Sequence, residues 1–162
     1  CNELWNENHK FTLNIAGEID KQNKSHLRKN ALEFLIKNQN IRFLGKCKNM
    51  VKVYKKMDIV ILPSWREGLS KSLLESASMS LGIITTDVPG CNDIIKDKHS
   101  GLLVPVKSKD HLKSAIKQYL EFPELVEMNG KNARKTVKEN FTTQKINSKI
   151  LKVYDQLLNE IK

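Results

Sequence analysis

Short apolar runs alternate with amphipathic stretches along this chain of 162 residues. Asp58-Ile59-Val60-Ile61-Leu62 is brief, β-branched and closed by Pro63, the pattern of a strand buried on both faces inside a parallel sheet. A polar loop follows. Leu73, Leu74, Ala77 and Leu81 then recur at the spacing of a helix that opens near Ser70 and turns them inward. Upstream, Cys1 to Lys10 reads as the end of a helix with Leu4 and Trp5 as its apolar contacts. Phe11 to Ala16 alternates and stops at Gly17, as a strand does. After the loop Glu18-Ile19-Asp20, Leu27, Ala31, Phe34 and Leu35 predict a helix from about Lys21 to Lys37. Ile41 to Gly45 is a second strand, and Met50, Val53, Tyr54 and Met57 suit a brief helix.

Downstream, Gly82 is expected to stop the central helix before a strand over Ile83 to Thr86. Pro89-Gly90-Cys91-Asn92-Asp93 predicts a turn into a short helix at Asp93-Ile94-Ile95, and Gly101 to Val104 a fifth strand. Three helices close the chain, at about Lys109 to Glu121, Pro123 to Lys138 and Thr143 to Ile161. Pro123 suits a first helical position and Thr142 or Thr143 a cap. Strand and helix in alternation imply an α/β fold with a Rossmann-like, doubly wound parallel sheet. No repeat or linker divides the sequence, so residues 1–162 read as a single domain.

Composition narrows the class. No apolar run approaches the roughly 20 residues of a membrane span. Three cysteines, Cys1, Cys47 and Cys91, are odd in number and widely spaced, and suggest neither a disulfide framework nor a zinc site. Cys1 to Trp5 lack the basic and apolar regions of a signal peptide, so a cytoplasmic protein is expected. A net charge of +10 invites nucleic acid as a partner, but the lysines are spread along the chain and aromatics make up only 6% of it. Attraction to an anionic membrane face or to diphosphate ligands fits the charge equally well, as does a lysine-rich solvated surface.

The stretch Pro63-Ser64-Trp65-Arg66-Glu67-Gly68-Leu69-Ser70-Lys71-Ser72-Leu73-Leu74-Glu75 carries the chemistry. A strand, loop and helix of this kind form the βα unit at whose carboxyl end α/β proteins place ligands. Gly68 lets the main chain approach a ligand closely. The N–H groups of Leu69, Ser70 and Lys71, at the helix start, would lack intrahelical acceptors and suit a phosphate or sugar oxygens. Glu67 and Glu75 bracket the unit, about 12 Å apart at 1.5 Å per residue. That separation suits a nucleotide sugar, one acid on the hexose and the other on the ribose diol. Each acid alone has a plainer account, as a dipole partner or an exposed helix residue.

Pro-Ser-x-x-Glu-Gly-Leu-Ser-x-x-Leu-Leu-Glu, then Ile83-Ile84-Thr85-Thr86-Asp87-Val88-Pro89-Gly90 and Gly101-Leu102-Leu103-Val104-Pro105, resembles glycosyltransferase family 4 in order and spacing. The likeness is to the donor-binding C-terminal domain of these retaining GT-B enzymes, from about Phe11 to the chain end. It implies that Glu67 contacts hexose hydroxyls and that Gly68, Leu69 and Ser70 approach the sugar and diphosphate. It further implies that Glu75 holds the ribose 2′- and 3′-hydroxyls. Gly45 and Lys46 would grip the base, and Gly17 with Glu18 would line the pocket. Lys71 adds charge toward the diphosphate or is simply exposed; Arg66 pairs with Glu67 or a phosphate. Asp93, after the Pro-Gly turn, is expected to be a structural cap, and His99 and His111 surface residues. Without an Asp-x-Asp motif, the resemblance implies no metal and no cofactor; protein charges and the helix dipole would stabilise the leaving diphosphate.

The wording around Glu67 is similar to bacterial members that build surface polysaccharides or lipid-linked oligosaccharides, several of which use UDP-N-acetylhexosamines, although Ser70 stands where that subgroup often has Pro. The expected donor is therefore a UDP-sugar and the acceptor a glycan or polyprenyl-diphosphate-linked sugar, at the inner face of the membrane. Against the family pattern, the first strand with its basic pair and the N-terminal acceptor domain are missing. The absent strand would lie between those at Phe11 to Ala16 and Ile59 to Leu62. An isolated chain would then close the gap by abnormal pairing, fill it from a partner, or be poorly stable. The terminal helix over 143–161 would pack toward the missing domain. The other readings are a non-catalytic nucleotide-sugar-binding module and a basic nucleic-acid-binding domain.

Overall fold

The computed structural model describes residues 1–18, 33 and 35–160. They fall into two compact units, Cys1–Val53 and Tyr54–Lys162, and each is described by itself.

In the first unit, α1 (Asn2–Asn6) precedes β1 (Leu13–Ala16) and β2 (Ile41–Gly45), which pair in parallel from Leu13↔Ile41 to Ala16↔Gly45. Leu4 is fully buried. Trp5 stacks on Phe11 with ring centroids 5.0 Å apart and donates its indole N–H to the Phe11 carbonyl at 3.0 Å. That contact holds Phe11 outside the sheet, so β1 starts at Leu13, two residues later than the alternation suggested; the Leu13 N–H donates to Asn40 O at 2.8 Å. The helix expected over 21–37 lies outside the described residues, apart from 33 and 35–37, which are helical. Residues 19 and 20 of the expected loop lie outside them too.

After α2 (Met50–Tyr54), the second unit is built on the parallel sheet β3 (Ile59–Leu62), β4 (Gly82–Thr86) and β5 (Leu102–Val104), in that order. Between β3 and β4 runs α3 (Lys71–Ser78); α4 (Lys109–Glu121), α5 (Pro123–Asn140) and α6 (Thr143–Glu160) follow β5. The strand buried along its whole length is β4, whereas β3 is half-buried throughout. The sequence expectation for β3 is thus corrected: among the described residues β4 is its single partner, which makes it an edge strand of this sheet. Likewise β1 pairs only with β2, so the described strands form two sheets.

Leu73 and Ala77 of α3, Ile83 of β4 and Ala133 of α5 close the main core. Two boundaries differ from expectation. The central helix ends at Ser78, and Ser80, at φ 61°, takes the left-handed turn assigned to Gly82. Gly82 instead opens β4, where a Cβ would lie 2.6 Å from Val126 Cγ1 and 3.2 Å from Tyr119 Cε2. Its role is close packing. Beyond β4, the segment expected as a helix at Asp93-Ile94-Ile95 is hydrogen-bonded turns, Ile94 and Ile95 both donating to Cys91 O. Ile94 and Ile95 are fully buried there. Pro123 sits at the start of α5, as expected, and Thr142 Oγ1 accepts from the Lys145 N–H at 3.4 Å at the start of α6. Among the described residues, no helix is long and apolar enough to cross a membrane.

Candidate functional site

The loop between β3 and α3 is fastened from β4. Thr85 Oγ1 donates to Leu62 O at 2.8 Å, and Thr86 Oγ1 donates to Ser64 O. Both threonines are buried, so each hydroxyl spends its donor on the loop's backbone instead of water. Ser64 Oγ in turn donates to Glu67 Oε1 at 2.6 Å. The Pro89-Gly90 turn presses on the same loop. Gly90 has φ +83°, and a Cβ there would lie 1.5 Å from Gly68 O and 2.8 Å from Glu67 O. Asp93 Oδ2 accepts the Gly90 N–H at 2.9 Å, which gives Asp93 the structural place expected of it. Cys91 is fully buried; burial pushes its thiol pKa up, and the Glu67 charge adds to the rise while Thr85 and Thr86 oppose it.

At the start of α3, Ser70 is buried in the N-cap place with extended backbone. Its Oγ meets Ser72 Oγ at 3.1 Å and makes no cap bond to the helix backbone. Because helical geometry begins at Lys71, the first-turn N–H groups are those of Lys71, Ser72 and Leu73. This set starts two residues beyond the one expected. Glu75 lies little more than one turn in, about 6 Å from the helix start. Its Oε1 is 3.7 Å from Lys71 Nζ, and its Oε2 accepts from Tyr54 OH at 3.4 Å. Burial, then the Glu75 charge and hydrogen bond, push the Tyr54 phenol up to about 12.

Glu67 is half-buried, Gly68 and Leu69 exposed, and Lys71 exposed beside its acid. Trp65 stands out at 69% exposure with Lys107 Nζ 4.5 Å from its ring centroid. In the first unit, Gly17, Gly45 and Lys46 meet at the carboxyl ends of β1 and β2. The Gly17 N–H donates to Gly45 O at 2.9 Å, and Lys46 Nζ is 3.8 Å from Glu18 Oε2. The structure therefore groups Glu67, Gly68, Leu69, Ser70, Lys71 and Glu75 around one helix start, and Gly17, Gly45 and Lys46 around one strand end. Sequence reasoning missed Ser64 and Tyr54 as partners of the two acids. The first had a signal, a serine three residues before an acid in a turn. The second had none.

Two cavities lie elsewhere: one of about 650 Å³ lined by Trp5, His9, Phe11 and Asn40, and one of about 290 Å³ lined by Gln144, Lys145, Ser148 and Lys149. Neither is lined by Glu67 or Glu75. Among the described residues, no group of three or more His, Cys, Asp or Glu could hold a metal.

Residues 1–136, which include every residue of both clusters, match the family model described as glycosyl transferases group 1. The chain belongs to this family. It is 30% identical over 125 residues to an uncharacterized glycosyltransferase of Methanocaldococcus jannaschii, covering 75% of this chain and 32% of that protein. It is 29% identical over 131 residues to the N,N'-diacetylbacillosaminyl-diphospho-undecaprenol alpha-1,3-N-acetylgalactosaminyltransferase of Campylobacter jejuni, covering 81% and 34%. The chain thus spans about a third of the length of these relatives. In structure it superimposes on Anabaena Alr3699/HepE in complex with UDP with a TM-score of 0.82 and 15% identity, over 90% of this chain and 41% of that one. The fold is that of one half of a GT-B glycosyltransferase, a parallel-sheet, Rossmann-like α/β arrangement.

Proposed function

We propose that this chain is the donor-binding half of a retaining glycosyltransferase. It serves to move a hexose or N-acetylhexosamine from a UDP-sugar to a glycan or polyprenyl-diphosphate-linked acceptor in bacterial polysaccharide synthesis. The observation that carries the reading is the pair of acids at the two sides of the α3 start, each with one carboxylate oxygen already engaged by a protein hydroxyl. A carboxylate held on one oxygen presents the other in a fixed direction, as a hydroxyl-binding group must.

In this reading Glu67 accepts from the hexose hydroxyls and the α3 start faces the diphosphate with Lys71. Glu75 takes the ribose diol. The leaving diphosphate draws on backbone N–H groups and cationic side chains, with no metal ion. The acceptor hydroxyl attacks on the face the diphosphate leaves. Support comes from the family, from the relative named for an undecaprenol-diphosphate acceptor, and from the UDP in the HepE complex. The apolar face of α6, with Leu151 and Leu158 61% and 62% exposed, would pack against a further domain that supplies the acceptor site. The isolated chain is then inactive, and the enzyme works at the inner face of the membrane.

The test is sugar transfer by the full-length enzyme that carries this chain, using UDP-hexoses and UDP-N-acetylhexosamines, with product anomers read by NMR. Retained configuration and loss of turnover in Glu67→Ala, with folding intact, are expected. An inverted product, full activity in that variant, or turnover by the 162-residue chain alone overturns the corresponding part.

A further inference from the structure

We infer that Tyr54 is a positioning residue for Glu75, holding one carboxylate oxygen from the protein side so that the other is aimed at the ribose diol. The inference rests on the reading of Glu75 given above and goes beyond it. Tyr54 is 4% exposed, at the last position of α2, and its hydroxyl lies 3.4 Å from both Glu75 Oε2 and Ser72 O. The Ser72 carbonyl belongs to the first turn of α3 and shares the single phenolic hydrogen with the Glu75 carboxylate, so the hydroxyl points at the helix that carries the acid. The side chain of Glu75 is 37% exposed. Left alone, its carboxyl group would turn broadly about its last torsion, which has no sharp staggered wells.

The two oxygens have different surroundings. Oε2 faces the buried phenol, while Oε1 lies 3.7 Å from Lys71 Nζ, whose side chain is 89% exposed. The solvent-side oxygen is therefore the one a ligand reaches. A vicinal diol donates two hydrogen bonds and gains most from an acceptor already oriented when it arrives. Nothing in the sequence pattern marks Tyr54 for this role; its position on α2 suits packing equally well.

The test compares two ligands. UDP and 2′,3′-dideoxyuridine diphosphate are titrated by ligand-observed NMR into the chain and into its Tyr54→Phe and Glu75→Gln variants, with circular dichroism reporting the fold. Tyr54→Phe is expected to weaken UDP by about threefold to tenfold, the worth of one hydrogen bond, and Glu75→Gln by at least as much. Neither variant should change affinity for the dideoxy ligand. Equal weakening of both ligands by Tyr54→Phe, loss of its fold, or no effect on UDP overturns the positioning role. If Glu75→Gln leaves UDP affinity unchanged, or the wild-type chain binds no UDP, the reading of Glu75 falls and the inference with it. A weakened Glu75→Gln beside an unaffected Tyr54→Phe removes the inference alone.

Discussion

Ser64 Oγ donates to Glu67 Oε1 at 2.6 Å, a short charge-assisted bond across a turn of the β3–α3 loop. The Ser64 carbonyl is itself held by Thr86, so the carboxylate is referred to the buried strand β4 through two hydrogen bonds. In the proposed enzyme, Ser64→Ala frees the carboxylate to rotate without removing it. The expected result is a kcat lowered about tenfold, roughly 1.4 kcal/mol, with donor KM little changed and most activity restored by Ser64→Thr. A Ser64→Ala enzyme with unaltered kcat would remove this role.

Gly90 is the second fastening of the loop, and it works by absence of a side chain. Its φ of +83° and the distance of only 1.5 Å between a notional Cβ and Gly68 O leave an L-residue no place without moving the Gly68–Leu69 peptide. Gly90→Ala is expected to destabilise the chain by about 3 kcal/mol or to displace the loop. Urea unfolding with intrinsic fluorescence reads the first, since Trp65 lies on that loop. A variant with wild-type midpoint and wild-type Trp65 emission would show that the turn accommodates a side chain after all.

Alkaline stability follows from Tyr54. Its folded pKa, about 12, lies above the ordinary value of 10.0, so the folded state holds the proton more tightly than the unfolded state. Below pH 10 this contribution is fully present; it is lost as pH rises through about 12. Unfolding free energy measured from pH 9 to pH 12 should fall over that window in the wild type and more gently in Tyr54→Phe. Identical slopes for the two proteins would count against a strained ionisation at this site. Tyr119, whose pKa burial also raises, contributes in the same direction to both and does not confuse the comparison.

Local pattern was enough to place β2, β3 and α4 at the residues where they stand, because each has a clear period and a clear stop. It failed where a distant group decides. β3 reads as a central strand by its β-branched run, yet its burial depends on how many neighbours the sheet supplies, and among the described residues it has one. Gly82 looks like a helix stop, but Ser80 makes that turn and Gly82 admits Val126 and Tyr119 from later helices. The acids of the candidate site were legible because Glu67 and Glu75 share one short segment with Gly68. Their holders were less so. Tyr54 reaches Glu75 across 21 residues of chain, a contact that no spacing rule announces.

Thiol chemistry offers an independent view of the same loop. Cys1 and Cys47 are half-buried, whereas Cys91 is fully buried next to Gly90, with its thiol pKa raised. Since the thiolate is the reactive species, both burial and the raised pKa slow Cys91. Titration of the native chain with an aromatic disulfide reagent at pH 8 should consume two thiols quickly and the third only after denaturant is added. Because Gly90 lets the turn that leads into Cys91 close on the Gly68 carbonyl, Gly90→Ala should bring the third thiol into the fast phase whenever the loop lifts without global unfolding. A fast third thiol in the wild-type chain would mean that the turn opens readily, and that Glu67 is held less firmly than its bond to Ser64 implies.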